Sequence, residues 1–120
     1  MSAAYALARP VVMPSELLEL NKRGFSNDEI YKIVGPRRTL ARRIEKNERL
    51  SVAEADRVRR MQRTSEYVER VFGDAELGRR WLREPCQALD GEIPLDLLET
   101  ELGGIMVDEE LVRIRHGMFV

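Results

Sequence analysis

A chain of 120 residues suffices for one domain or two small ones, with a modest core that needs neither metal nor disulfide. With 34% charged and 43% hydrophobic residues it reads as soluble and globular, and no run approaches the roughly 20 apolar residues of a membrane helix. The formal net charge of -1 would point away from a polyanion partner, but residues 1–63 carry 14 Lys/Arg against 8 Asp/Glu and residues 64–120 carry 6 against 13, a contrast of +6 and -7.

Residues 1–14 are small and weakly patterned, lack the basic lead and apolar run of a signal peptide, and are expected to form a loose arm of a cytoplasmic protein. From Ser15 to Arg23, Leu17, Leu18 and Leu20 suit a short helix stopped by Gly24. Ser26 with Glu29 three residues on is a capping box opening a second helix with Ile30, Ile33 and Val34. Gly35 is expected to end it in the left-handed conformation, and Pro36 fits the first turn of a third helix. There Leu40 and Ile44, four apart, face inward, and Arg38 and Arg42 lie opposite, with Thr39 and Lys46 flanking and Arg43 to one side. Two short helices, the second basic on its outer face, outline a helix-turn-helix.

Ser51 and Glu54 form another capping box and open the longest helix, to about Phe72, with an apolar stripe of Val52, Ala55, Val58, Met61, Val68 and Phe72. Arg57, Arg59, Arg60 and Arg63 decorate its first half. Asp74 caps a helix to about Arg83 that brings in Leu77, Trp81 and Leu82 before Pro85. Ala88 to Pro94 reads as a turn into a short helix with Leu95, Leu97 and Leu98. Gly103-Gly104 is expected to break the chain, a short strand is conceivable at Ile105-Met106-Val107, and a last helix runs from about Asp108 to His116 until Gly117. The fold class is all-α, two modules joined through the long helix.

No catalytic constellation emerges. The single cysteine, Cys86, excludes an internal disulfide, and its only potential base, the single histidine His116, lies thirty residues away on another element. The acids Glu99, Glu101, Asp108, Glu109 and Glu110 read as a solvated face without a loop ligand pattern, and no glycine loop cradles phosphate. The chain is expected to be no enzyme and to hold no metal or cofactor. Arg37, Arg38, Thr39, Arg42, Arg43 and Lys46 are the candidates for DNA contact, because guanidinium groups match both phosphate and the acceptor edge of guanine. A solvated basic surface is the plainer alternative. So small a module would read few base pairs, so DNA binding also calls for a dimer or larger assembly. Met118-Phe119-Val120 either packs on its own fold or meets another protein.

Gly35, Arg38-Thr39-Leu40 and Arg42-Arg43, then Leu50-Ser51 with Glu54, Asp56-Arg57 and Arg60, then Trp81-Leu82-Arg83-Glu84-Pro85 with Ala88-Leu89 and Gly91, then Pro94-Leu95-Asp96-Leu97-Leu98 with Thr100-Glu101 and Gly103, and finally Val107, Leu111, Ile114 and His116-Gly117 resemble the Xre/MbcA/ParS family of antitoxins. The resemblance spans about residues 15–120 and is most specific in the second half. It implies the antitoxin of a type II toxin-antitoxin system whose RES-domain toxin consumes NAD or uses it for ADP-ribosylation. It further implies an Xre-like helix-turn-helix module over residues 15–63 that binds operator DNA and represses its own operon. Residues 64–120 would then be a toxin-binding domain that occludes the toxin's NAD pocket, with the approaching segment mapping to Arg113, Arg115, His116, Gly117, Met118, Phe119 and Val120. The implied assembly is a homodimer or a larger hetero-oligomer with the toxin, away from any membrane. Pro36 before the third helix and Cys86 after Pro85 depart from the family pattern. A stand-alone DNA-binding transcription regulator with a C-terminal oligomerisation domain is the alternative.

Overall fold

A computed structural model describes residues 11–117, which form seven α-helices, a 3-10 turn and one isolated bridge. In chain order these are α1 (Ser15–Lys22), α2 (Asn27–Ile33), α3 (Arg37–Lys46), α4 (Val52–Phe72), α5 (Ala75–Arg83), the 3-10 turn Gln87–Leu89, α6 (Pro94–Leu97) and α7 (Glu101–Gly117). The fold is all-α. The chain divides into two compact units between Arg59 and Arg60, so α4 gives its first eight residues to one and the remainder to the other.

In the first unit each helix is stopped by a local signal. Gly24, at φ +103, closes α1: its N–H donates to Asn21 and the N–H of buried Phe25 to Leu20, a Schellman pair that satisfies two end carbonyls. Ser26 and Glu29 exchange both hydrogen bonds of the expected capping box. Pro36 is the N-cap of α3 and Arg37 its first residue, and Asn47, at φ 47, ends it. Leu17, Leu20, Phe25, Ile30, Ile33, Val34, Leu40, Leu50 and Val58 are buried. Four expectations are corrected here. Gly35 does not have positive φ, because α2 ends on Val34 in right-handed geometry. Ile44 is 54% exposed, the inward position beside Leu40 being taken by the stem of Arg43. Val52 is also exposed, since it stands in the first turn of α4 ahead of the buried stripe. The arm does not reach Pro14, for Val12 is fully buried and its carbonyl accepts from the Leu50 N–H; residues 1–10 lie outside the described residues.

In the second unit, α6 packs on both α5 and α7, and the 3-10 turn also packs on α7. Met61, Val68, Leu82, Leu89, Leu95, Leu98, Val107 and Leu111 are buried, while Leu77, expected inside, is exposed on the first turn of α5. Trp81 is half-buried with its ring 5.8 Å from Phe72. Cys86 exchanges backbone bonds with Glu92 and Gly91, closing the expected turn ahead of Pro94, the first residue of α6. The largest correction concerns α7, which begins at Glu101 rather than Asp108 and passes through Gly103-Gly104 and the tentative strand Ile105-Met106-Val107 without interruption. Here glycine is a packing device. A Cβ on Gly103 would overlap the Leu97 carbonyl oxygen and one on Gly104 would meet the Arg60 side chain. Close approach outweighs the roughly 1 kcal/mol per residue by which glycine weakens a helix.

Candidate functional site

Helix α3 presents Arg37, Arg38, Ala41, Arg42, Ile44, Glu45 and Lys46 to solvent, with Thr39 part-buried. At 100° per residue Arg38, Arg42 and Lys46 form one row, i, i+4, i+8, about 12 Å long. Glu45 interrupts the face beside that row, and Ala41 and Ile44 occupy its far side, so the basic surface is a strip along one edge. Arg42 lies 3.4 Å from Glu48 and remains half-exposed. Guanidinium and ammonium groups in such a row can attract an anion, and the carboxylate of Glu45 beside it would oppose one.

Arg43 belongs to a different structure. Its Nε donates to Glu54 Oε1 at 2.8 Å, its Nη2 to Glu54 Oε2 at 3.3 Å and its Nη1 to Glu48 at 2.9 Å, with the side chain only 17% exposed. Glu54 is 6% exposed, and its Oε1 also accepts the Ser51 N–H while the Ser51 hydroxyl accepts the Glu54 N–H. Burial alone would raise the Glu54 pKa, but the bonds from Arg43 and Ser51 outweigh it and hold the carboxyl below its usual range. The bond to Glu54 correspondingly raises Arg43, against its own burial. Arg43 thus locks α3 onto the start of α4 and fixes the direction in which the strip points.

The long-helix arginines are tethers as well. Arg57 donates to the Val34 carbonyl at the end of α2 and Arg59 to Glu16 on α1, both within the first unit. Arg60 donates to the Leu98 carbonyl within the second, where it runs past Gly104. Helical spacing alone places these residues on the surface; the sign of a tether is that guanidinium is a usual donor to helix-end carbonyls. The charge contrast between halves is therefore smaller at the surface than by count, and the unit boundary moves Arg60 and Arg63 to the acidic side.

At the C-terminal end, Arg113 is exposed and pairs with buried Glu110 at 2.6 Å. Arg115 lines a shallow cleft with Tyr67, Arg70 and Val71, where the Arg70 guanidinium sits 5.4 Å above the Tyr67 ring. His116 and Gly117 are exposed on the last turn of α7. Met118, Phe119 and Val120 lie outside the described residues. Asp108, half-buried, has its pKa raised by burial, offset in part by Arg63. Among the described residues no three of His, Cys, Asp and Glu are placed to hold a metal, and no helix is long and apolar enough to cross a membrane.

The described residues thus form two compact helical units, the first with an exposed basic strip on α3 and the second with more acidic than basic residues. Residues 68–117, which lie within the second unit, match the family model of the Antitoxin Xre/MbcA/ParS C-terminal toxin-binding domain. The chain is similar to Antitoxin Xre of Yersinia enterocolitica, at 31% identity over 95% of this chain and 90% of that protein. It is also similar to Antitoxin Xre of Pseudomonas putida, at 36% identity over 84% of this chain and 64% of that protein, and to Antitoxin Xre of Photorhabdus laumondii, at 28% over 78% and 65%. This chain thus spans just under two thirds of the length of those last two relatives. It belongs to the Xre family of antitoxins.

Proposed function

We propose that this chain is the antitoxin of a type II toxin-antitoxin system, acting in the cytoplasm, that neutralises a RES-domain, NAD-consuming toxin by occluding its active site. The observation that carries the reading is the toxin-binding-domain match over residues 68–117, which lies within one compact folded unit. Neutralisation is stoichiometric coverage without chemistry. A unit rich in acids suits a cleft that must attract the anionic NAD and is therefore basic. The end of α7, with Arg113, Arg115, His116 and Gly117, and the following Met118-Phe119-Val120 are proposed to approach the toxin's pocket.

The same reading gives α3 the role of operator reader, supported by the exposed row Arg38, Arg42 and Lys46 and by Arg37 beside it, with Thr39 at the edge. Arg43 acts by holding the helix in place. Autorepression would use a dimer or a larger complex with toxin, since one α3 covers too few base pairs for an operator.

The test is co-expression with the product of the adjacent reading frame, followed by co-purification and measurement of NAD loss with and without this chain. Co-purification with preserved NAD is expected; NAD loss unaffected by this chain would end the proposal. Deleting residues 118–120 is expected to weaken toxin inhibition and leave operator binding in place. Replacing Arg38 and Arg42 by Ala is expected to weaken operator binding and to flatten the log K against log salt slope by roughly 0.9 per lost phosphate contact. An unchanged slope would remove α3 as the reader, and operator binding by a chain that captures no toxin would favour the stand-alone regulator.

A further inference from the structure

Helix α7 carries apolar side chains on two sides. Val107 and Leu111 are buried, with Gly103 and Gly104 pressed against Leu97 and Arg60. On the other side Leu102, Ile105 and Val112 are 68%, 46% and 41% exposed. At 100° per residue these three fall within about 80° of each other, a strip roughly 15 Å long at 1.5 Å per residue. A scattered surface leucine needs no explanation, but a helix apolar on both sides has the pattern of one that ends up inside a larger assembly.

The charges beside the strip select the occupant. Exposed Glu109 and His116 fall between Leu102 and Ile105 on the helical wheel, exposed Glu101 falls beside Val112, and exposed Arg113, already paired with Glu110, falls beside Leu102. A second copy meeting this face about a two-fold axis would bring two Glu101 and two Glu109 carboxylates to one interface, with only Arg113, already engaged by Glu110, to set against them. A surface with an apolar centre and Lys or Arg around it would instead pair them.

We infer that Leu102, Ile105 and Val112 form the apolar centre of the surface by which the second unit holds its toxin, with Glu101 and Glu109 pairing to basic groups at the rim. This rests on the proposed function and adds the face that makes the contact. It assigns the main hold to the outer side of α7, so that residues 113–120 act at the pocket but do not supply most of the affinity.

The experiment measures binding of the full chain to the toxin from the adjacent reading frame. The double variant Leu102→Gln with Ile105→Gln is expected to weaken toxin affinity at least tenfold, and Glu109→Gln to slow association and reduce its salt dependence. Because both replaced side chains point to solvent, the variant's thermal midpoint and operator binding should match the wild type. Leu18→Gln, at a similarly exposed leucine of α1 in the other unit, should bind toxin normally. Wild type that binds toxin together with a double variant that binds equally well overturns this inference and leaves the proposed function standing. Wild type that captures no toxin overturns both. A variant that turns a wild-type dimer into a monomer in light scattering, with toxin affinity unchanged, gives the face to a second copy and also overturns the inference.

Discussion

Arg43, Arg57 and Arg59 hold the first unit together by reaching from helix to helix, to a carboxylate, a helix-end carbonyl and another carboxylate. The second unit has such a tether as well, from Arg60 to the Leu98 carbonyl, and adds close approaches where side chains are missing: Gly78 against Val68, Gly103 against the Leu97 carbonyl and Gly104 against Arg60. Side-chain tethers respond to charge and pH, whereas glycine contacts respond to volume. The difference predicts that each unit can be weakened by a change the other would not feel.

The sharpest way to break the comparison is Gly103→Ala. A methyl group there meets backbone rather than a flexible side chain, so the second unit should lose about 3 kcal/mol or more. Thermal melting by circular dichroism should show early loss of part of the helical signal, and toxin capture should fail while operator binding survives. A wild-type melting curve would show that the close contact is not limiting.

Glu54→Gln tests the other side of the comparison. It replaces the better buried of the two carboxylates that hold Arg43 by a neutral amide and should destabilise the first unit by about 2–3 kcal/mol, less than the roughly 3–5 kcal/mol for a fully buried pair because Arg43 keeps Glu48 and some water. The pH dependence follows from the lowered Glu54 pKa: its stabilisation is present above the unfolded value of about 4.3 and is lost as pH falls through the lower folded value. The difference between wild type and variant in urea denaturation should therefore shrink on acidification.

Thr64→Val probes the middle of α4, where Thr64 is 1% exposed and its hydroxyl has no hydrogen-bond partner among the described residues. Valine has nearly the same shape and removes an unsatisfied group, so the second unit should gain about 1 kcal/mol, seen as a higher melting midpoint. Asp108→Asn should give the smallest effect, with the opposite sign to Glu54→Gln. Burial raises the Asp108 pKa, so at neutral pH the ionised group opposes folding, and that penalty fades as pH falls through the raised folded value toward the unfolded value of about 3.9. The variant should be slightly more stable than wild type at pH 7 and indistinguishable below about pH 4. No gain at neutral pH would mean that Arg63 compensates the burial fully.

Much of the architecture is written in short-range signals. Ser26 and Glu29, Ser51 and Glu54, Asp74 and Pro94 each start a helix where the residue types alone place it, because a cap or a fixed φ acts within four residues. The strip Arg38, Arg42 and Lys46 was legible for the same reason, since helical spacing is local. Glu45 beside it is legible by the same spacing. Arg43, Ile44 and Gly103-Gly104 are not legible in this way, because their surroundings depend on what stands opposite. Arg43 has a carboxylate eleven residues away to bond, Ile44 then has no inward slot, and the glycines have a carbonyl and an arginine stem pressed against them.

By itself, then, the sequence determined an all-helical chain of two oppositely charged halves, the starts of its helices and the family it belongs to, because caps, helical periodicity and motif residues act along the chain. Tertiary structure decided that α7 is one helix rather than a turn and a half-helix, that Arg57 and Arg60 of α4 donate to helix-end carbonyls, and that Leu102, Ile105 and Val112 remain uncovered. Those outcomes depend on how closely two segments approach in space. Glycine shortens that distance, guanidinium spans it, and neither intention is visible until the opposing segment is in place.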